Sequence, residues 1–179
     1  MQALLVIDMQ NDFFTESAPL KCEGGQQIIG NVVKAIAKAR QKGIPVIHVI
    51  QEHRKDMSDF GLELECSKPH CIEGTEGAKI IPEIQVDEKD YILIKKRFSG
   101  FLATDLELLL RGLGVNRVIL TGVATDGCIR ATAVDAHQLG FYFKIVKDCT
   151  AGAFYDSHEA ALKYLCRLQK DVLIDLSEI

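Results

Sequence analysis

Three ionisable side chains stand at the carboxyl ends of predicted strands. Asp8 follows the apolar run 3–7, Lys95 follows the run 91–94, and Cys128 follows the run 118–123 after a glycine-containing turn. Ligands of open parallel sheets bind beyond the carboxyl ends of the strands, so we expect these three side chains to converge. A carboxylate, an ammonium and a thiol at one point are suited to nucleophilic catalysis by sulfur.

The sequence also indicates how the thiol would be activated. Cys128 is predicted to open a helix, where free N–H groups and the positive end of the helix dipole favour a thiolate. An ammonium at a neighbouring strand end would lower the thiol pKa from its reference value of about 8.5 toward neutrality. Asp8 would then take the proton and return it to a leaving amine. Taken singly, each residue also has an ordinary structural role, in packing, solvation or a turn.

The elements that must position these residues alternate along the chain. Six short apolar runs predict buried strands, at 3–7, 44–50, 91–94, 118–123, 141–146 and 172–174. Four segments with helical spacing separate them, at 26–41, 104–111, 128–139 and 157–168. This order predicts one α/β domain over residues 1–179, a doubly wound, Rossmann-like and mainly parallel six-stranded sheet with helices on both faces. The remaining long stretch, 52–84, is predicted to be a functional loop. Whether this loop acts as a lid is not decided by the sequence.

The composition argues against several classes of function. With 179 residues, 47% apolar and 26% charged, the chain has the make-up of one globular domain. A formal net charge of −4 and the lack of a basic block predict no nucleic-acid partner. No apolar run reaches the roughly 20 residues of a membrane span. Six cysteines without an export signal predict free thiols and a cytoplasmic location.

Three blocks of the sequence resemble the signature segments of one enzyme family. They are residues 8–13 (DMQNDF), 95–101 (KKRFSGF) and 121–129 (TGVATDGCI). In residues and in order they resemble the isochorismatase-like cysteine hydrolases, which include nicotinamidases and N-carbamoylsarcosine amidohydrolases. Residues 132–136 and 146–148 extend the resemblance over nearly the whole chain.

The resemblance implies a role for each of the three ionisable residues. Asp8 corresponds to the general acid/base, Lys95 to the ammonium of a catalytic triad, and Cys128 to the nucleophile. Lys95 rather than Lys96 takes this role because the family spacing is Lys-x-Arg-x-Ser-x-Phe.

The surroundings of the reaction follow partly from the same resemblance. The family places a cis peptide between Val123 and Ala124, which would turn the N–H groups of Ala124 and Cys128 toward one point as an oxyanion hole. Phe13 corresponds to an aromatic wall of the nicotinamidase pocket, with a buried core position as the alternative. Gln51 ends the second strand, and its side-chain amide can form hydrogen bonds with the amide or urea group of a substrate. Phe13, Gln51 and Val123 are the predicted pocket residues.

The segment after the second strand departs from the nicotinamidase pattern. Nicotinamidases carry an Asp-x-His-x-x-x-His metal motif there, whereas this chain has Gln51, His53 and Met57 at the three ligand positions. Gln and Met are poor ligands for zinc or iron, so no catalytic metal is predicted, and the implied chemistry needs no organic cofactor. Whether His53 and His70, together with Glu52, bind an incidental metal ion is left open.

Together these features predict a cysteine amidohydrolase that cleaves a C–N bond of a small amide or ureido compound through a thioester. The resemblance also implies a homodimer or homotetramer. A nicotinamidase and an isochorismatase that releases pyruvate stay open as alternatives, although the isochorismatase branch tends to have Gly where this chain has Cys128. A silent binding protein and a redox protein are further alternatives, the latter without a C-x-x-C pair.

Overall fold

Six strands form one sheet at the centre of the molecule. In the computed structural model, which describes residues 1–179, they are β1 (Gln2–Ile7), β2 (Val46–Gln51), β3 (Tyr91–Lys95), β4 (Arg117–Val123), β5 (Tyr142–Ala151) and β6 (Leu173–Ile174). Their order across the sheet is β3-β2-β1-β4-β5-β6, and every neighbouring pair is parallel. The predicted doubly wound α/β sheet is confirmed, and all of its strands are parallel.

Five α-helices cover the two faces of the sheet. They are α1 (Asn11–Phe14), α2 (Gly25–Gln41), α3 (Leu106–Gly112), α4 (Arg130–Gln138) and α5 (Tyr155–Leu165). Leu4 and Val6 of β1 pack with α1 and α2 in one apolar cluster, whereas Leu5 and Ile7 pack with α3, α4 and α5 in another. Alternate strand residues point to opposite faces, so a continuous apolar run supplies both layers. None of these helices has the length and apolar character needed to cross a membrane.

Two boundaries near the carboxyl end of β4 differ from the prediction. β5 continues past residue 146 to Ala151, because the register shifts so that Leu120 pairs with Ile145 but Gly122 pairs with Thr150. Cys128 lies in a π-helical turn, Thr125–Ile129, that precedes α4, and so it does not open that helix. The polar residues 147 and 148 interrupt the apolar run, which explains why the sequence hides the extension of β5.

The long segment after β2 is fastened to the residues that follow β1. The Gln10 side chain donates to the carbonyl oxygens of Gln51 and Ala78, both at 2.7 Å, and accepts from the Gln51 N–H at 2.8 Å. The Asp12 carboxylate accepts from the Cys71 N–H at 2.6 Å. These bonds satisfy buried polar groups of both segments, so the first sequence block holds the loop against the end of the sheet.

Gly122 lets β4 lie unusually close to β1. Its φ is +105°, a value that residues with a side chain rarely adopt, and a Cβ there would lie 2.0 Å from the Ile7 carbonyl oxygen. Ile7 immediately precedes Asp8, so this approach helps to set the position of that carboxylate.

Replacing Gly122 with alanine should therefore destabilise the protein severely. We expect Gly122→Ala to lower the free energy of unfolding by about 4 kcal/mol or more, because the clash is with backbone atoms that cannot rotate away. Gly30→Ala is the matched control: Gly30 lies exposed inside α2 with nothing within 4 Å of a new Cβ, and it should stabilise by about 0.5–1 kcal/mol. Urea unfolding measures the free energy of unfolding of both variants. Equal stability of the two would show that a side chain at residue 122 does not clash with β1.

Candidate active site

Asp8, Lys95 and Cys128 meet at the carboxyl ends of β1, β3 and β4. Lys95 Nζ lies 2.9 Å from Asp8 Oδ2 and 3.3 Å from Cys128 Sγ. It also donates to Gln51 Oε1 at 3.1 Å. Lys95 and Asp8 are completely buried, and Cys128 is 5% exposed. The structure thus brings together the three residues selected from the sequence and adds Gln51 as a fourth partner.

The backbone around Asp8 holds its carboxylate in place. Asp8 has a φ of +51°, in the left-handed region that Asp tolerates better than most residues. Its N–H donates to the Val49 carbonyl at 2.8 Å, and its own carbonyl accepts from the Gln10 N–H at 2.8 Å. Asp8 Oδ2 forms a buried ion pair with Lys95, and no backbone N–H donates to either carboxylate oxygen. Both oxygens keep lone pairs that can accept a proton.

Burial and charge shift the pKa values of Lys95 and Cys128. Burial lowers the pKa of Lys95, but the charges of Asp8 and Cys128 outweigh it, and the pKa ends above its usual value. Burial raises the pKa of Cys128 well above its usual value; Asp8 raises it further, and Lys95 lowers it only in part. Burial and the Asp8 carboxylate thus outweigh the ammonium, so the pKa of the Cys128 thiol is shifted upward and not toward neutrality as the sequence suggested.

The turn between β4 and Cys128 carries a free backbone donor. The Val123–Ala124 peptide is cis, as the family resemblance implied. The Ala124 carbonyl accepts from the N–H groups of Gly127 and Ile129, at 3.0 and 3.1 Å. The Ala124 N–H donates to no acceptor of the protein. A free N–H beside the thiol is the kind of donor that stabilises an oxyanion.

A cavity of about 430 Å³ opens beside the thiol of Cys128. Phe13, Gln51 and Ala124 belong to its wall. Val123, the third predicted pocket residue, does not line it, because its side chain is completely buried in the apolar cluster beneath α2. The prediction of Val123 as a pocket residue is therefore wrong, and Val123 is a core residue.

Gln51 connects the ammonium to a buried histidine. Because its Oε1 accepts from Lys95, its Nε2 is the atom that donates to His53 Nε2, at 2.8 Å. His53 then carries its proton on Nδ1, 3.2 Å from Asp59 Oδ1, and its ring stacks on Phe60 with centroids 3.7 Å apart. Burial lowers the pKa of His53 to about 4, so the ring is neutral at physiological pH. Both ends of the Gln51 amide are thus engaged within the protein.

One cluster of side chains could hold a metal ion of the kind that nicotinamidases carry. It consists of His53, His70 and Glu63, whose ligand atoms lie within 4.8 Å of one another. The carboxylate near the two histidines is Glu63, and not Glu52 as the sequence suggested. The Nε2 lone pair of His53 already accepts from the Gln51 N–H. Two free ligand groups remain, fewer than the three protein ligands of a catalytic zinc site. These residues therefore do not fit the metal set of nicotinamidases.

Known proteins resemble this chain in sequence and in fold. A model of the isochorismatase domain matches residues 2–173. The chain belongs to the isochorismatase family. A protein of Arabidopsis thaliana named "Probable inactive nicotinamidase" is 38% identical over 169 residues, covering 88% of this chain and 84% of the relative. Maleamate amidohydrolase of Pseudomonas putida is 34% identical over 163 residues, which cover 89% of this chain and 76% of the relative.

A solved structure agrees with these sequence relatives. An isochorismatase-like hydrolase from Alkaliphilus metalliredigens superposes with a TM-score of 0.91 at 37% identity, covering 99% of this chain and 96% of the other. Further relatives are a nicotinamidase/pyrazinamidase of Mycobacterium tuberculosis and an N-carbamoylsarcosine amidase of Thermoplasma acidophilum, whose names describe hydrolysis of amide C–N bonds, and this family membership supports a hydrolase. Small amides accordingly fit the family as substrates.

The opposing effects of Asp8 and Lys95 on the thiol can be measured separately. Asp8→Asn removes the charge that raises the pKa of Cys128 and keeps the ammonium that lowers it. We expect Asp8→Asn to speed alkylation of Cys128 by iodoacetamide at neutral pH by about ten-fold or more, since each pKa unit changes the thiolate fraction about ten-fold. Lys95→Met should slow it. In the wild type the rate of Cys128 alkylation should keep rising with pH above the usual pKa of a thiol.

Peptide mass spectrometry would follow the modification of Cys128 over time. The exposed Cys166, which lies outside the cavity, reports reagent concentration and general thiol reactivity in the same samples. Slower labelling of Cys128 in Asp8→Asn than in the wild type would show that the carboxylate does not hold the thiol proton in place.

Proposed function

We propose that this isochorismatase-family protein is a cysteine amidohydrolase that cleaves a small amide or ureido compound through a thioester on Cys128. One observation carries the proposal: the Asp8 carboxylate and the Cys128 thiol both contact the buried Lys95 ammonium, beside a cavity of about 430 Å³. The amidohydrolase name of the Pseudomonas relative supports the same class of reaction.

The first half of the proposed reaction forms the thioester. Asp8 takes the proton of the Cys128 thiol, and the thiolate attacks the substrate carbonyl. The N–H groups of Ala124 and Cys128 stabilise the oxyanion that develops on the carbonyl oxygen. Asp8 then passes the proton to the leaving nitrogen, the C–N bond breaks, and ammonia or an amine departs.

The second half releases the acid. A water molecule gives a proton to Asp8 and attacks the thioester carbonyl, and the C–S bond breaks as the carboxylic acid forms. The proton on Asp8 returns to the sulfur of Cys128, which restores the resting thiol. Lys95 keeps its positive charge throughout and remains beside whichever of the two groups is negative.

The alternative reactions have weaker support. An isochorismatase that releases pyruvate has no use for a thiol held at an ammonium, so Cys128 argues against it. A nicotinamidase with a catalytic metal is disfavoured by Gln51 and Met57 at two ligand positions. The Arabidopsis relative is named as a probable inactive nicotinamidase, which agrees with this preference.

Two further inferences from the sequence remain predictions, the cytoplasmic location and the homodimer or homotetramer. Light scattering of the purified protein would measure the mass of the assembly, and fractionation of the source cells would measure the location.

Turnover of small amides tests the proposed reaction directly. We expect the wild type to release ammonia from members of a panel of small amides and ureas, and Cys128→Ala to lower that rate by about 10⁴-fold or more. Cys166→Ala, which removes an exposed thiol outside the cavity, is the matched control and should retain the rate. Acid quenching during turnover should trap an acyl adduct on Cys128, visible in the intact mass. Ammonia release that persists in Cys128→Ala, or release of pyruvate from isochorismate, would refute the proposal.

A further inference from the structure

Glu63 places a carboxylate in the wall of the cavity beside Cys128. It belongs to the 3-10 helical segment Gly61–Glu65, and its side chain is only 8% exposed. No lysine or arginine nitrogen lies within 4.0 Å of it. Its one neighbour in that range is His70, whose Nε2 is 3.4 Å from Glu63 Oε1. A carboxylate with so little exposure normally has a cationic or hydrogen-bonding partner, and the only protein group near this one is the His70 ring.

His70 presents a second free acceptor at the same place. Its ring is 1% exposed and lines the same cavity. Its Nδ1 lies 2.8 Å from the Lys68 carbonyl oxygen, which only accepts, so Nδ1 carries a hydrogen and Nε2 is the acceptor in the tautomer with a single proton. Nε2 makes no hydrogen bond. Buried polar atoms are nearly always paired, so the free His70 Nε2 beside the Glu63 carboxylate indicates a donor that comes from outside the chain.

The other charged groups in the cavity wall are already engaged. Asp126 accepts from the Ala153 N–H at 2.9 Å, and Lys21 is paired with Glu16. Glu63 is therefore the wall carboxylate that lacks both a cation and a backbone donor. A positively charged group in the cavity would be attracted to it, and an anionic group would be repelled.

We propose that Glu63 and His70 form a specificity subsite that binds a protonated amine of the substrate while Cys128 attacks the amide group of the same molecule. An ammonium has three N–H donors and no acceptor, so it can bond both free acceptors at once. The inference rests on the proposed amidohydrolase function and narrows its substrates to small amides that carry a basic nitrogen.

A matched series of amides tests the subsite. 4-Aminobutanamide carries the amine, pentanamide has a methyl group in its place, and succinamate has a carboxylate. We expect kcat/KM for 4-aminobutanamide to exceed that for pentanamide by about ten- to a hundred-fold, as charge-assisted hydrogen bonds predict, with succinamate the poorest. In Glu63→Gln the ratio of the first two should fall to near one. Glu65→Gln removes the same charge from the same segment at an exposed position outside the cavity wall, and it should keep the wild-type ratio.

Protection of Cys128 from alkylation separates this inference from the proposed reaction. At mildly alkaline pH, 4-aminobutanamide should protect Cys128 at lower concentrations than pentanamide in the wild type and in Glu65→Gln, and it should lose that advantage in Glu63→Gln. If this pattern holds without ammonia release, the subsite stands and the hydrolase proposal fails. Hydrolysis of the three amides at equal efficiency, or equal protection by the two amides, overturns the subsite.

A metal ion is the competing occupant of these acceptors. We expect dialysis against EDTA to leave the activity on 4-aminobutanamide unchanged. If the purified protein holds about one equivalent of a divalent metal that is lost in Glu63→Gln and kept in Glu65→Gln, the cluster is a metal site and the amine subsite is wrong.

Discussion

The completely buried ammonium of Lys95 governs the arrangement of everything around it. A lysine without contact to water is tolerated only where its charge is balanced and its N–H groups have acceptors. Asp8 supplies the charge, and Gln51 and Cys128 accept its hydrogens. Loss of one partner of such a pair costs about 3–5 kcal/mol, because the other charge stays buried. The groups proposed for catalysis are therefore also required for the stability of the strand ends that carry them.

The same ammonium makes proton transfer from Cys128 to Asp8 feasible in a buried site. In the resting state the carboxylate balances Lys95, and the thiol keeps its proton because burial and Asp8 raise its pKa. When the proton moves to Asp8, the negative charge moves to a sulfur that contacts the same nitrogen. The number of buried charges does not change, and each negative site lies within 3.3 Å of the cation. A raised pKa in the resting state is thus compatible with a nucleophile that forms only when Asp8 takes the proton.

The features that depend on local sequence pattern were predicted correctly. The features that depend on contacts between distant segments were missed. Continuous apolar runs identified all six strands, and the three sequence blocks identified the residues that meet at Lys95. The end of β5 was missed because a register shift against β4, and not the apolar run, sets its length. Glu63 was missed because its segment has no periodicity, and an isolated Glu in a loop looks solvated. Only the return of the loop to the sheet buries Glu63 against His70.

The residues proposed for catalysis and those proposed for substrate choice belong to different parts of the chain, and one residue connects them. The strand ends supply Asp8, Lys95 and the turn before Cys128, whereas the loop after β2 supplies both acceptors of the proposed subsite. Gln51 lies at the junction, because one end of its amide accepts from Lys95 and the other donates to His53. The His53 ring in turn lies edge to face with His70, with centroids 5.4 Å apart. If the proposed subsite is correct, changes in the loop would alter the preferred substrate while the charge of Lys95 stays balanced, provided that Gln51 and its contacts are kept.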